Sequence, residues 1–288
     1  MALSLSSARA ALAHIERAEH VAFGTYVLRP DGPAQRALLN AAHKKHGHVV
    51  VTLQRDPYNA PEATPLNVAS ARALRRAGAH VRLLELDHTA FHLKAAVCDG
   101  VAYLDNRNWP KHGPQIIVAD DAPRDVALLR ASLTGHPAGS SRALALRKDV
   151  ALARETALVR RAGGAPVIVE SENIGASPLA GALQKHAAHG ARTVLILGRW
   201  RHHTAAESAL IEKLKKAGVD VRETGTNAKM ALAGNHVWIG SANATGAHDE
   251  RTSGQADWGV VTGVKALVNA VKAALRSDGA RDAIEPPR

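Results

Sequence analysis

The chain has 288 residues, with 37 lysines and arginines against 26 aspartates and glutamates, a formal charge of +11. Its single cysteine, Cys98, excludes an internal disulfide and a cysteine-rich zinc site and suits a reducing compartment. Aromatic residues at 3% are too few for a base-stacking platform. No uncharged apolar run approaches the about eighteen residues of a membrane span, and residues 1–13 lack a basic segment followed by a long apolar one. The expectation is a cytoplasmic protein with no stable membrane anchor. Its positive charge favours polyanions such as nucleic acid or an anionic lipid face, although basic residues such as Arg72, Arg75, Arg76, Lys213, Lys215 and Lys216 are spread over helices.

Hydrophobic periodicity predicts a helix over 7–19, a strand over 21–28 and a helix from Asp31-Gly32-Pro33 through His43, closed by Gly47. Residues 49–53 form an apolar strand, 55–65 a loop, 66–77 a helix stopped by Gly78, and 81–86 the next strand. After residues 91–109 come a strand at 115–119, a helix carrying Val126, Leu129 and Leu133, and a Gly/Pro/Ser segment at 135–141 that reads as a linker. The order then begins again, with a helix over 146–161, a strand at 166–170, a helix over 178–189 ending at Gly190 and a strand at 193–197. A helix over 205–217, a strand at 257–261 and a helix over 264–275 complete it. Residues 216–222 repeat the phrase at 76–82, and Lys94 and Asn108 recur 135 positions later as Lys229 and Asn243. The fold expected is α/β, built of two repeats related by a pseudo-twofold, residues 1–137 and 138–288, each a β-sheet flanked by helices.

The most informative stretch is 91–109. His92 and Lys94 share one face of an extended segment, Asp99-Gly100 suits a tight hairpin turn, and 101–104 returns to bring 105–108 beside them. An imidazole, an ammonium and amide groups in one volume suit holding an anion and attacking it.

His92-x-Lys94-x4-Asp99 followed by Asn108, echoed by Gly240-Ser241-Ala242-Asn243 in a duplicated chain, resembles the phospholipase D superfamily over nearly the whole sequence. The resemblance implies that both motif copies build one phosphodiester site at the pseudo-twofold axis. One histidine attacks phosphorus to give a phosphohistidine, and the other protonates the leaving oxygen. The paired lysines and the motif asparagines hold the non-bridging oxygens, the motif aspartate holds a histidine, and no metal or other cofactor is required. On this reading His92, Lys94, Asp99 and Lys229 are catalytic, and Asn108, Asn227, Ser241 and Asn243 bind substrate phosphate. The partner is a phosphodiester, either phospholipid or nucleic acid, and the reaction is hydrolysis or transfer.

The second copy departs from the pattern, with Asn227 where the histidine should stand and Gly234 in place of the aspartate; the first has Asp105-Asn106 where Gly-Ser is usual. Attack by His92 could then survive with weak protonation of the leaving group. Another histidine (His236, His202, His203 or His248) could take the role, or the site could bind phosphate without cleaving it. Cys98 reads as core, Trp109 and Trp200 as lining of a substrate cleft, Trp238 as packing ahead of cleft lining, Gly163-Gly164 as a loop, and Ser171-Glu172-Asn173 as a site rim or helix cap.

Overall fold

In a computed structural model the described residues are 3–44, 48–57, 60–85, 90–109, 115–136, 139–198, 203–225, 228–246 and 255–284. Gly47 and the expected repeat boundary at 137 and 138 lie outside them. Two compact units divide the chain: Met1–Lys148 with Asp249–Trp258, and Asp149–His248 with Gly259–Arg288.

In the first unit, apolar and β-branched runs make strands β1 (Ser4–Ser6), β2 (His20–Thr25), β3 (His48–Gln54), β4 (His80–Leu84), β5 (Ala95–Cys98), β6 (Val101–Asp105) and β7 (Ile117–Asp120). They form one sheet in the order β1-β7-β6-β5-β2-β3-β4. Strands β2, β3 and β4 are parallel, and β5, β6 and β7 run antiparallel. Strand β1, absent from the sequence expectation, pairs its three residues with β7; so short an edge strand carries no periodic signal.

Helices α1 (Ala8–Arg17), α2 (Pro33–Ala42), α3 (Thr64–Arg76) and α4 (Pro123–Thr134) flank this sheet. Ser7 caps α1 by accepting from the Ala10 N–H, and Pro33 occupies the first turn of α2, where its missing N–H is harmless. Ile15, Leu38, Val51, Leu53 and Leu74 are wholly buried in the core between helices and strands. At Gly24 the chain packs too closely for a side chain: a Cβ there would stand 2.6 Å from Leu133 Cδ2 and 2.7 Å from Phe91 Cζ.

The second unit repeats the plan with β9 (Val167–Ser171), β10 (Thr193–Gly198), β11 (Asp220–Gly225), β12 (Met230–Ala233), β13 (His236–Gly240) and β14 (Gly259–Thr262), counting β8 as Leu144–Ala145. Six strands of its sheet run β11-β10-β9-β12-β13-β14, the counterpart of β4-β3-β2-β5-β6-β7. Helices α5 (Lys148–Arg160), α6 (Pro178–Ala188), α7 (Ala205–Lys216) and α8 (Lys265–Leu275) accompany it. Thr204 opens α7 with a capping box to Glu207. Among the described residues no helix is long and apolar enough to cross a membrane.

Glu155, on α5, is buried and its Oε2 has no hydrogen-bond partner. Burial pushes its carboxyl up to about 8. The native state therefore keeps this proton to about pH 8 while the unfolded chain releases it near 4.5, so stability falls as pH rises across that window. Glu155→Gln is expected to match wild type in urea midpoint at pH 4 and to exceed it at pH 8.5. A wild-type minus variant difference that does not change with pH would refute this.

Candidate active site

Phe91 forms a parallel bridge with Ala256, the His92 N–H donates to the Ala256 carbonyl (2.9 Å), and the Ala256 N–H donates to Ala90 (3.0 Å). This pairing sets Asp257 beside His92, with Nδ1 and Oδ1 2.8 Å apart. Gln255 Nε2 donates to the other carboxylate oxygen at 2.6 Å. His92 is 6% exposed and Asp257 fully buried. A carboxylate accepts, so Nδ1 carries the hydrogen, and in a neutral imidazole the ring lone pair then lies on Nε2.

The backbone leading to His92 is itself held by buried amides. Phe91 N–H donates to Gln54 Oε1 (2.8 Å), Gln54 Nε2 to the Leu84 carbonyl (3.0 Å), and Asn67 Nδ2 to the Tyr26 and Gln54 carbonyls (2.8 and 2.7 Å). Of these, Tyr26 lies just beyond the C-terminal end of β2 and Gln54 at that of the parallel strand β3, where ligands of such sheets gather. The Tyr26 ring meets the His92 imidazole edge-on, with centroids 4.7 Å apart.

Lys94 is fully buried; its Nζ donates to the His92 carbonyl at 2.9 Å and stands 5.6 Å from the Tyr26 ring centroid. Asp105, at the end of β6, accepts from the N–H groups of Arg107 (3.1 Å) and Trp109 (2.5 Å). Its burial pushes the carboxyl up to about 7, against hydrogen bonds from Gln115, Trp109 and Arg107 and the charge of Lys94. Trp258 Nε1 donates to the Asp105 carbonyl (3.1 Å), which fastens the Asp257 segment to the same hairpin.

Asp99 lies elsewhere. At φ 49° in the hairpin turn it accepts from the Glu19 and His20 N–H groups at 3.1 and 2.8 Å, tying the turn to the start of β2. Burial opposes its ionisation, but those N–H groups and the neighbouring His14 and His20 hold the carboxyl below its usual range. The carboxylate bonded to His92 is Asp257, whereas Asp99, expected from the motif to orient a histidine, is bonded within its own turn. Asn108 is exposed, whereas Asn106 is buried and accepts from the Ile116 N–H at 3.0 Å.

In the second unit Lys229 Nζ and Asn243 Nδ2 each reach Glu172 Oε2 at 3.3 Å. Ser241 is fully buried, and Asn243 Oδ1 is buried without a hydrogen-bond partner. Gly24 pairs with Ala95 and Glu170 with Met230, so Glu172 stands where the first repeat has Tyr26. Asn227, with Trp200, His202 and His248, lies outside the described residues. His236 is exposed, and His203 Nε2 stands 3.5 Å from Glu223. Cys98 is buried, which with Asp99 pushes its thiol up to about 12, and Trp238 and Trp109 are buried too. Among the described residues no group of three or more His, Cys, Asp or Glu could hold a metal ion.

The solved structures that resemble the chain include the following two. A polyphosphate kinase from Porphyromonas gingivalis matches with a TM-score of 0.66 at 14% identity, over 96% of this chain and 46% of the kinase. A phosphatidylserine synthase from Haemophilus influenzae Rd KW20 matches with a TM-score of 0.62 at 8% identity, over 97% and 86%. The chain thus spans about half the length of the kinase it matches. No protein-family description and no curated protein matches the sequence.

Asp257 was not legible beforehand, and its assignment can be checked directly. In nitrogen-edited imidazole NMR spectra, Asp257→Asn is expected to shift the His92 ring resonances. Asp99→Asn is expected to leave them in place and to lower the urea midpoint, by about 1–2 kcal/mol of stability. The reverse pattern would return the orienting role to Asp99.

Proposed function

Both of these structures belong to the phospholipase D superfamily, whose fold this chain shares, and from that premise we propose that the protein is a phosphodiester hydrolase or transferase acting through a phosphohistidine at His92. The observation that supports it best is the 2.8 Å pairing of His92 Nδ1 with buried Asp257, which leaves the nucleophilic lone pair on Nε2. Nε2 attacks phosphorus, an N–P bond forms, and the P–O bond to the leaving group breaks with its electron pair going to oxygen. Water, or an acceptor alcohol, then attacks phosphorus and loses its proton to solvent or to the departed oxyanion, and the N–P bond breaks with its electron pair returning to Nε2. Lys94 supplies positive charge beside His92, and Asp257 stabilises the imidazole as it gains charge. Following the sequence repeat, Lys229, Ser241 and Asn243 are further ligands of phosphate oxygens; Asn227 and Asn108 complete the assignment made on spacing.

Leaving-group protonation is the weak step, because Asn227 replaces a proton donor with an amide. General acid catalysis is worth about 10² to 10⁴-fold, so diesters with acidic leaving groups are the better substrates. A second reading, phosphate or nucleic-acid binding without turnover, is motivated by Asn227 and Gly234, which stand where the second motif copy should carry its histidine and aspartate.

The test is a diester bearing an acidic phenol. Wild type is expected to release phenol and to form an acid-labile phosphohistidine. His92→Ala should abolish the adduct and lower release by roughly 10³-fold or more. Asp257→Asn should lower kcat by roughly 10² to 10⁴-fold with KM little changed. Equal release by wild type and His92→Ala, without adduct, leaves the binding reading. Phospholipid, single-stranded DNA and duplex DNA are the substrates to compare, and the name of the similar kinase adds polyphosphate.

A further inference from the structure

A second place suited to phosphate lies in the second unit, between the C-terminal ends of α5 and α6. A cavity of about 490 Å³ is lined there by Arg160 from α5, by Lys185, His186 and His189 from α6, and by the Gly163-Gly164 loop, with no acidic residue among the described lining. Basic side chains at helix C-termini ordinarily complement the helix dipole, and exposed Arg160, Lys185 and His189 alone would mean no more than that. His186 is different. It is only 9% exposed, and its Nε2 is buried with no hydrogen-bond partner.

Its other nitrogen is spoken for, and the direction of that bond can be worked out. The Thr193 hydroxyl donates to the Ala191 carbonyl at 3.0 Å, so its oxygen accepts from His186 Nδ1–H at 2.8 Å. A neutral His186 therefore presents a lone pair at Nε2, and a protonated one presents an N–H. Leaving either unmet in a buried position is costly. His189 is turned by its own bond, Nδ1 to the Lys185 carbonyl at 2.6 Å. Around Gly163 and Gly164 nothing stands within 4 Å of where a Cβ would be, so this side of the cavity is open.

We propose that this cavity binds the phosphate group of a small phosphomonoester, or free inorganic phosphate, through Arg160, Lys185 and His186. Hydrogen phosphate fits His186 in both of its states: its P–OH donates to a neutral Nε2, and its anionic oxygens accept from a protonated one. The guanidinium offers paired donors to two phosphate oxygens, and Lys185 adds a point charge. At about 490 Å³ the cavity has room for more than the phosphate itself, and Val159 and Ala182 supply apolar lining for an organic body.

The full chain with labelled histidine should be titrated separately with inorganic phosphate, a nucleoside 5′-monophosphate and glycerol 3-phosphate, following the imidazole resonances. The His186 signal, assigned with His186→Gln, is expected to move saturably, with the same midpoint in His92→Ala, which separates this cavity from the candidate active site. Arg160→Ala/Lys185→Ala, at two exposed positions, should raise the midpoint at least tenfold and keeps the test usable if His186→Gln fails to fold. The tightest of the three ligands identifies the occupant as free phosphate, a nucleotide or a lipid headgroup. A His186 signal that none of them moves, or movement indifferent to the double variant, overturns the proposal.

Discussion

The hydrogen bond between His92 Nδ1 and Asp257 fixes which ring nitrogen carries the lone pair, and so what the imidazole can do. Neither partner could hold this geometry alone. Asp257 arrives on a short segment secured at three points: Ala256 against Ala90 and His92, Trp258 against the Asp105 carbonyl, and the Gln255 carbonyl against the Lys148 N–H. His92 is held by the Phe91 backbone on Gln54, and Gln54 in turn by Asn67. Each of these polar groups is buried, so breaking one bond strands its partner away from water, at a cost of about 1–3 kcal/mol. The low dielectric that makes such a network costly to disturb also makes it rigid.

The two repeats share a strand order and differ at the position facing their lysines. In the first, Tyr26 offers Lys94 an aromatic face, which attracts a cation without neutralising it. In the second, the equivalent Glu172 offers Lys229 and Asn243 a carboxylate oxygen. A phosphate oxygen and a carboxylate oxygen make the same demand on an ammonium and an amide, so an anion binding to Lys229 and Asn243 has to share or displace Glu172. The chemical imbalance between the copies is therefore larger than the loss of one histidine.

Much of this was readable in the sequence because it is periodic or local. The duplicated order of helices and strands follows from hydrophobic spacing and glycine stops. His92 and Lys94 both meet the Tyr26 ring, although the strand expected to carry them begins only at Ala95. Asp257 was not readable: it lies 165 residues from His92 and meets it through a single bridge outside any named strand. Gln54 and Asn67 were missed because a lone buried amide has no pattern. Asn108 was chosen by its displacement from Asn243, yet spacing along the chain does not fix exposure in a loop, and Asn106 is the buried one.

The turn residues show why a degenerate motif cannot be read letter by letter. Asp99 adopts φ 49°, a region strained for most side chains, and holds it by accepting two backbone N–H groups. Gly234, at the same place in the second hairpin, adopts φ 58° with no Cβ to object. Aspartate and glycine are thus two solutions to one turn, and the change from one to the other removes no group from the chemistry at His92. The change from histidine to Asn227 is of another kind, because an amide can neither attack phosphorus nor give up a proton at neutral pH. Of the two departures in the second copy, the one at Gly234 meets the needs of the turn, and the one at Asn227 takes away an imidazole.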